Sequence, residues 1–316
     1  MTIAVEVSGL HKRYGSTVAV DGLSFDVRSG EVFCLVGPNG AGKTTTLECI
    51  EGHRVPDSGT IRVLGLDPRT CGDELRRRIG IQLQEGGLPA RLRVWEALDL
   101  FAALFDRRDV PWSLLERLGL TEKRDTYFVK LSGGQKQRLF VALALVNDPE
   151  VVFLDELTTG LDPHARRSIW DMIRAIRDAG TTVVLSTHFM DEAETLADRV
   201  AIVRDGRLVA IDTPEELIRS VGGEDHVSLT ASGPIDPAPI AALPGVTSAN
   251  LRDGRLLVSG AGDGWIGRLV AAVEAQGAHL RDLSTKGPTL ETVYLTLTGE
   301  PVDSGAGSTS DAGTDA

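Results

Sequence analysis

Residues 36–50 read VGPNGAGKTTTLECI, a glycine-dense turn running straight into a helical pattern. The apolar run 31-EVFCLV-36 precedes it, as a buried strand would. Strand, glycine turn and helix are the context that G-x-x-x-x-G-K-[ST] requires, and Gly37, Pro38, Asn39, Gly40, Ala41, Gly42, Lys43 and Thr44 satisfy the pattern. A chance glycine-rich turn needs no such strand before it. The combination commits the chain to an α/β fold with the loop at the carboxyl end of a central strand. Glycines let the backbone wrap phosphate oxygens with several N–H groups pointing inward, and the helix adds its positive end. Lys43 is expected to reach the β- and γ-phosphates, the Thr44 hydroxyl to ligate Mg²⁺, and Thr45 to join the nucleotide-binding residues at the helix start.

Two further stretches say what the nucleotide is for. In 151-VVFLDE-156 an apolar strand ends in two carboxylates. Asp155 is placed to orient Mg²⁺ through its water shell, and Glu156 to polarise a water beside the γ-phosphate. In 131-LSGGQKQRLFVALALV-146, Ser132 reads as an N-cap and Gly133, Gly134 and Gln135 expose a helix start. That is a second anion cradle, redundant for a nucleotide already embraced by residues 37–44. It makes sense as the cap on a nucleotide held by another copy, with two copies facing head to tail across a two-fold axis.

The rest of the chain is compatible with that reading. Its 316 residues carry 33 Lys and Arg against 45 Asp and Glu, a net charge of −12 that argues against nonspecific nucleic-acid binding. No apolar run approaches the ~20 residues of a membrane span, and the N-terminal MTIAVEVSGLHKRYG lacks a secretory pattern, so a cytoplasmic location is expected. Three scattered cysteines, Cys34, Cys49 and Cys71, make neither a disulfide framework nor a zinc site.

Residues 1–220 alternate strand and helix patterns. Strands are expected at 31–36, 151–155, 182–187 and 199–206, helices at 93–105 and 132–146, and a turn leading into a strand at 56–65 within an antiparallel layer. After the paired glycines at 222 and 223 the pattern changes. Strands at 226–231, 246–252, 255–260 and 279–285 with helices at 264–277 and 289–297 predict a small α+β domain of split-βαβ type over 221–300, with Asp253 and Gly254 turning a hairpin. Residues 301–316 have almost no apolar content and are expected to be disordered.

The stretch LSGGQKQR is far more specific than the phosphate loop, and with it the sequence resembles an ABC transporter ATP-binding subunit over about residues 3–220. The resemblance implies a mixed sheet with an antiparallel β layer and a helical subdomain, ATP and Mg²⁺ as ligands, and ATP hydrolysis at two composite sites. It also assigns residues. Tyr14 stacks on adenine. Gln84 touches Mg²⁺ and senses the membrane partner, with Gln82 a neighbouring candidate. Asp162, in 160-GLDP-163, links the two sites, and His188, in 186-STH-188, contacts the γ-phosphate. One departure is Leu157 where the family usually has Pro, which removes a fixed φ beside Glu156.

Segments 188-HFMDEAETLADRVAI-202 and 287-GPTLETVYLTLTGE-300 resemble the daunorubicin-resistance branch of drug and antibiotic exporters. That branch implies a homodimer, or an ATPase heterodimer, on the cytoplasmic face of the membrane beneath a separate polytopic ABC-2-type permease, with segment 93–105 receiving it. An importer subunit is the near alternative. A ribosome-acting ATPase would carry two cassettes, and a DNA-repair ATPase a long coiled-coil insertion; neither is present in this sequence.

Overall fold

The computed structural model describes residues 2–82, 87–105, 111–222, 224–252 and 254–299. Gln84, Asp253 and the tail 301–316 lie outside these. The chain divides into two units, Met1–Pro214 and Glu215–Glu300.

In the first unit, β1 (Ile3–Tyr14) and β2 (Thr17–Arg28) form a long antiparallel hairpin. Next come β3 (Val32–Val36), α1 (Lys43–Ile50), β4 (Ser58–Val63), α2 (Gly72–Arg76) and β5 (Ile79–Gln82). Three helices follow: α3 (Val94–Leu104), the short α4 (Ser113–Arg117) and α5 (Gly133–Ala144). Strand and helix then alternate through β6 (Val151–Asp155), α6 (Pro163–Asp178), β7 (Thr182–Thr187), α7 (Met190–Leu196) and β8 (Arg199–Arg204), closing with β9 (Arg207–Asp212).

Two sheets result. One has the order β2-β1-β4 and is antiparallel; the other runs β5-β6-β7-β3-β8-β9, parallel except for β9. Every residue of β3, β6 and β7 is buried. That explains their unbroken apolar runs: strands covered on both faces cannot alternate. The core between the sheets joins Val5, Leu10, Leu23 and Val27 to Phe33, Leu35 and Phe153, and Phe25 stacks on Phe33 at 5.2 Å. The carboxyl ends of β3, β6 and β7 lie side by side, with Val36 opposite Thr187 and Asp155 opposite Ser186. This edge positions the site.

Helix α8 (Pro214–Val221) leads into the second unit. Its sheet contains β10 (Asp225–Ser232), β11 (Val246–Arg252), β12 (Arg255–Gly260) and β13 (His279–Lys286), in the order β11-β12-β10-β13, all antiparallel. The short α9 (Pro237–Ala241) lies between β10 and β11, and α10 (Trp265–Ala275) between β12 and β13, the connection pattern of a split βαβ unit. Helix α10 buries Trp265, Leu269 and Val273 at four-residue spacing among Val227, Leu229, Leu256 and Val258. Last is α11 (Leu290–Thr298), capped by Thr289. Among the described residues no helix is long and apolar enough to cross a membrane.

Candidate functional site

The turn from β3 to α1 builds a cavity of about 510 Å³ whose lining includes Tyr14, Asn39, Gly40, Gly42, Lys43 and Glu156, with Thr44 and Thr45. Gly42 has φ 96°, and a Cβ there would run into the backbone carbonyl of Ala19, so only glycine closes this turn. Helix α1 starts at once, with no side chain capping Gly42, and its first N–H groups are left for a ligand.

Lys43 is almost fully buried, and its Nζ donates to the carbonyls of Gly37 at 2.9 Å and Pro38 at 3.0 Å. Burial pulls the Lys43 pKa down; the neighbouring carboxylates of Glu156 and Asp155 oppose this. Asp155 ends β6 as a buried carboxyl held by the Ser186 hydroxyl and by Thr44. Burial pushes its pKa up, against those hydrogen bonds. Thr44 and Asp155 thus present adjacent hard oxygen donors, the chemistry that suits Mg²⁺.

Glu156 leaves the strand with a left-handed φ of 46°, held by its own N–H on the Ser186 carbonyl at 3.1 Å. The kink aims its carboxylate at Lys43 Nζ, 3.6 Å away, and at His188 Nδ1, 3.4 Å away. Leu157 buries its side chain, so the position after Glu156 is anchored by packing where a proline would act through its ring. His188 follows the end of β7, and its Nδ1 is buried without a well-formed hydrogen bond.

Tyr14, at the end of β1, is 41% exposed on the cavity rim, with Lys12 Nζ and Arg54 within 5.6 Å and 5.3 Å of the ring centroid. The ring is available for a base to stack on. Gln82 is buried and accepts the Asp155 N–H at 3.2 Å, which makes it a brace for β6.

At the start of α5 a capping box forms: Ser132 Oγ accepts the Gln135 N–H at 3.3 Å, and Gln135 Oε1 accepts the Ser132 N–H at 3.0 Å. Ser132 and Gly133 are exposed. None of Ser132, Gly133, Gly134 or Gln135 is among the residues lining the phosphate-loop cavity. Asp162 caps α6, accepting the N–H groups of His164 and Ala165 at 3.0 and 2.9 Å, and those bonds hold its carboxyl below the usual range.

Sequence reasoning missed Ser186, whose hydroxyl fixes Asp155. Ser186 stands near a strand end two residues before a histidine, a signal that could have found it.

A family model described as ABC transporter matches residues 20–159. The chain is 38% identical to the daunorubicin/doxorubicin resistance ATP-binding protein DrrA of Streptomyces peucetius, over 96% of this chain and 94% of that protein. It is 44% identical to the Nod factor export ATP-binding protein I of Ralstonia nicotianae, over 72% of this chain and 73% of the relative. Among solved structures, cbiO1 from Clostridium perfringens, part of the ABC transporter complex cbiONQ, superimposes with a TM-score of 0.62 at 28% identity, covering 70% of this chain and 95% of that one.

Proposed function

The chain belongs to the ABC transporter ATP-binding family, and from that premise we propose that it powers export of a drug, antibiotic or other hydrophobic compound through a separate permease. The observation that carries the hydrolytic part is the meeting of Glu156, Lys43 and His188 at one strand edge beside the phosphate loop. The export direction rests on the names of the relatives, one matching nearly end to end.

ATP seats its phosphates on the backbone N–H groups of residues 37–44, with adenine against Tyr14. Lys43 exchanges its loop carbonyls for phosphate oxygens and offsets the charge that builds on the γ-phosphate. Glu156 takes the proton of the attacking water, and the neighbouring His188 orients the water and the γ-phosphate. Thr44 and Asp155 would hold Mg²⁺, which when bound neutralises charge between the β- and γ-phosphates. Ser132, Gly133, Gly134 and Gln135 of a second copy complete the site, so that ATP closes a dimer and release of ADP and phosphate reopens it. Asp162, capping α6, links the paired sites. An ATPase heterodimer would serve the same geometry, and Gln84 is assigned to sensing the permease. The chain then works as a peripheral protein on the cytoplasmic face.

Substituting Glu156→Gln tests the reading. The variant should bind ATP with wild-type affinity, lose about 10²- to 10³-fold in turnover and elute as an ATP-dependent dimer on gel filtration. Wild-type turnover in this variant would refute the assignment of the base.

A further inference from the structure

One buried carboxylate lies behind the site with no part in the chemistry above. Glu192, in α7, is only 2% exposed. Burial pushes its carboxyl up, and donors from three separate segments oppose that shift. The Thr187 hydroxyl reaches it from the end of β7, immediately before His188. The Trp170 indole N–H donates to its Oε1 at 2.9 Å from α6. The buried Thr158 hydroxyl, two residues beyond Glu156, faces the same carboxylate without a well-aligned hydrogen bond.

Two of these segments, α6 and the end of β7, meet a second time. Arg166, also on α6, packs its guanidinium 4.0 Å from the centroid of the Phe189 ring, and that ring lies 4.1 Å from the ring of His188. Arg166 also pairs with Asp191 at 3.6 Å. Thr187 Oγ accepts the Phe189 N–H at 3.0 Å, so the hydroxyl next to Glu192 also shapes the turn that presents His188. A buried carboxylate tolerates little movement of its donors, because each lost hydrogen bond leaves charge unsatisfied in an apolar place. The geometry therefore makes Glu192 a fixed point for everything bonded to it.

We propose that Glu192 is a positioning residue for ATP hydrolysis, clamping the His188 turn to α6 so that His188 stays against Glu156. This rests on the hydrolytic reading of Glu156 and His188. A part in folding alone would make Glu192 matter equally whether or not His188 is present. A part in positioning makes its effect run through His188.

The full chain is assayed for steady-state ATP hydrolysis and thermal unfolding as wild type, Glu192→Ala, Glu192→Gln, His188→Ala and the double variant Glu192→Ala with His188→Ala. Glu192→Ala should lower kcat about 10- to 100-fold with the KM for ATP unchanged. Glu192→Gln, which keeps an acceptor for the Trp170 indole, should retain most of the rate. In the His188→Ala background, Glu192→Ala should cost nothing more. An equal loss in both backgrounds, or a wild-type kcat for Glu192→Ala, overturns the proposal. Should Glu192→Ala fail to fold, Trp170→Phe is measured for the same non-additivity with His188→Ala, and additivity there overturns it as well. A His188→Ala chain at the full rate removes the hydrolytic reading first and the proposal with it.

Discussion

Glu156 shows how one backbone angle can set chemistry. Its φ of 46° costs energy in a residue with a Cβ, and here it turns the side chain out of the buried strand toward Lys43 and His188. Residues 37–45, Asp155 and Glu156 were proposed from contiguous stretches whose spacing carries the chemistry, and His188 from the family resemblance. The Glu192 cluster was not, since Thr158, Trp170 and Thr187 are distant in sequence and only packing joins them. The cysteines give a separate prediction at this scale. Burial pushes the Cys49 thiol up to about 11 and Cys34 well above its ordinary value, while Cys71 is half-exposed. A thiol with a raised pKa has little thiolate at pH 8, and the thiolate is the reactive form. Ellman's reagent at pH 8 should therefore titrate a single fast thiol, Cys71, in the native chain and all three in denaturant; a second fast thiol in native protein would contradict this.

At the scale of elements, α3 spends its apolar residues on two sides. Val94, Ala97, Leu98 and Ala102 are buried, whereas Leu100 and Leu104 are 50% and 69% exposed. Beside them Phe101, Leu104, Phe105, Ile81 and Leu143 line an apolar groove of about 230 Å³. A single buried face needs fewer apolar positions than this, and the surplus supports a docking surface for the permease. Leu104→Asp should leave the ATPase rate of the isolated chain within about twofold, because such surface changes seldom disturb the fold, while abolishing permease-dependent transport in membrane vesicles. Normal transport by that variant would place the permease elsewhere. Helices 94–104 and 133–144 could be read from their spacing, since a periodic apolar stripe is local information. Helix α6 is harder to read although its stripe of Ile169, Met172, Ile173 and Ile176 is regular, because polar residues dominate its N-terminal half. The continuous apolar runs of β3, β6 and β7 identified them as central strands, yet nothing in them says which neighbours which.

For the whole molecule, the phosphate loop and the exposed start of α5 each offer backbone N–H groups to an anion, and none of residues 132–135 lines the loop's own cavity. Two copies are needed to bring them together in the proposed mechanism. ATPase activity per chain should accordingly fall as the protein is diluted below the dissociation constant of its ATP-bound dimer, and recover on concentration. Activity independent of concentration down to a monomeric solution would end the composite-site reading. The motifs and the alternation of strand and helix were written in the sequence, because each depends on residues close together along the chain. Tertiary structure alone decided that β3 lies between β7 and β8, that Asp155 meets Ser186 and that Glu192 gathers three segments. Those pairings are chosen by the free energy of burying whole surfaces at once, a quantity that no single stretch of residues contains.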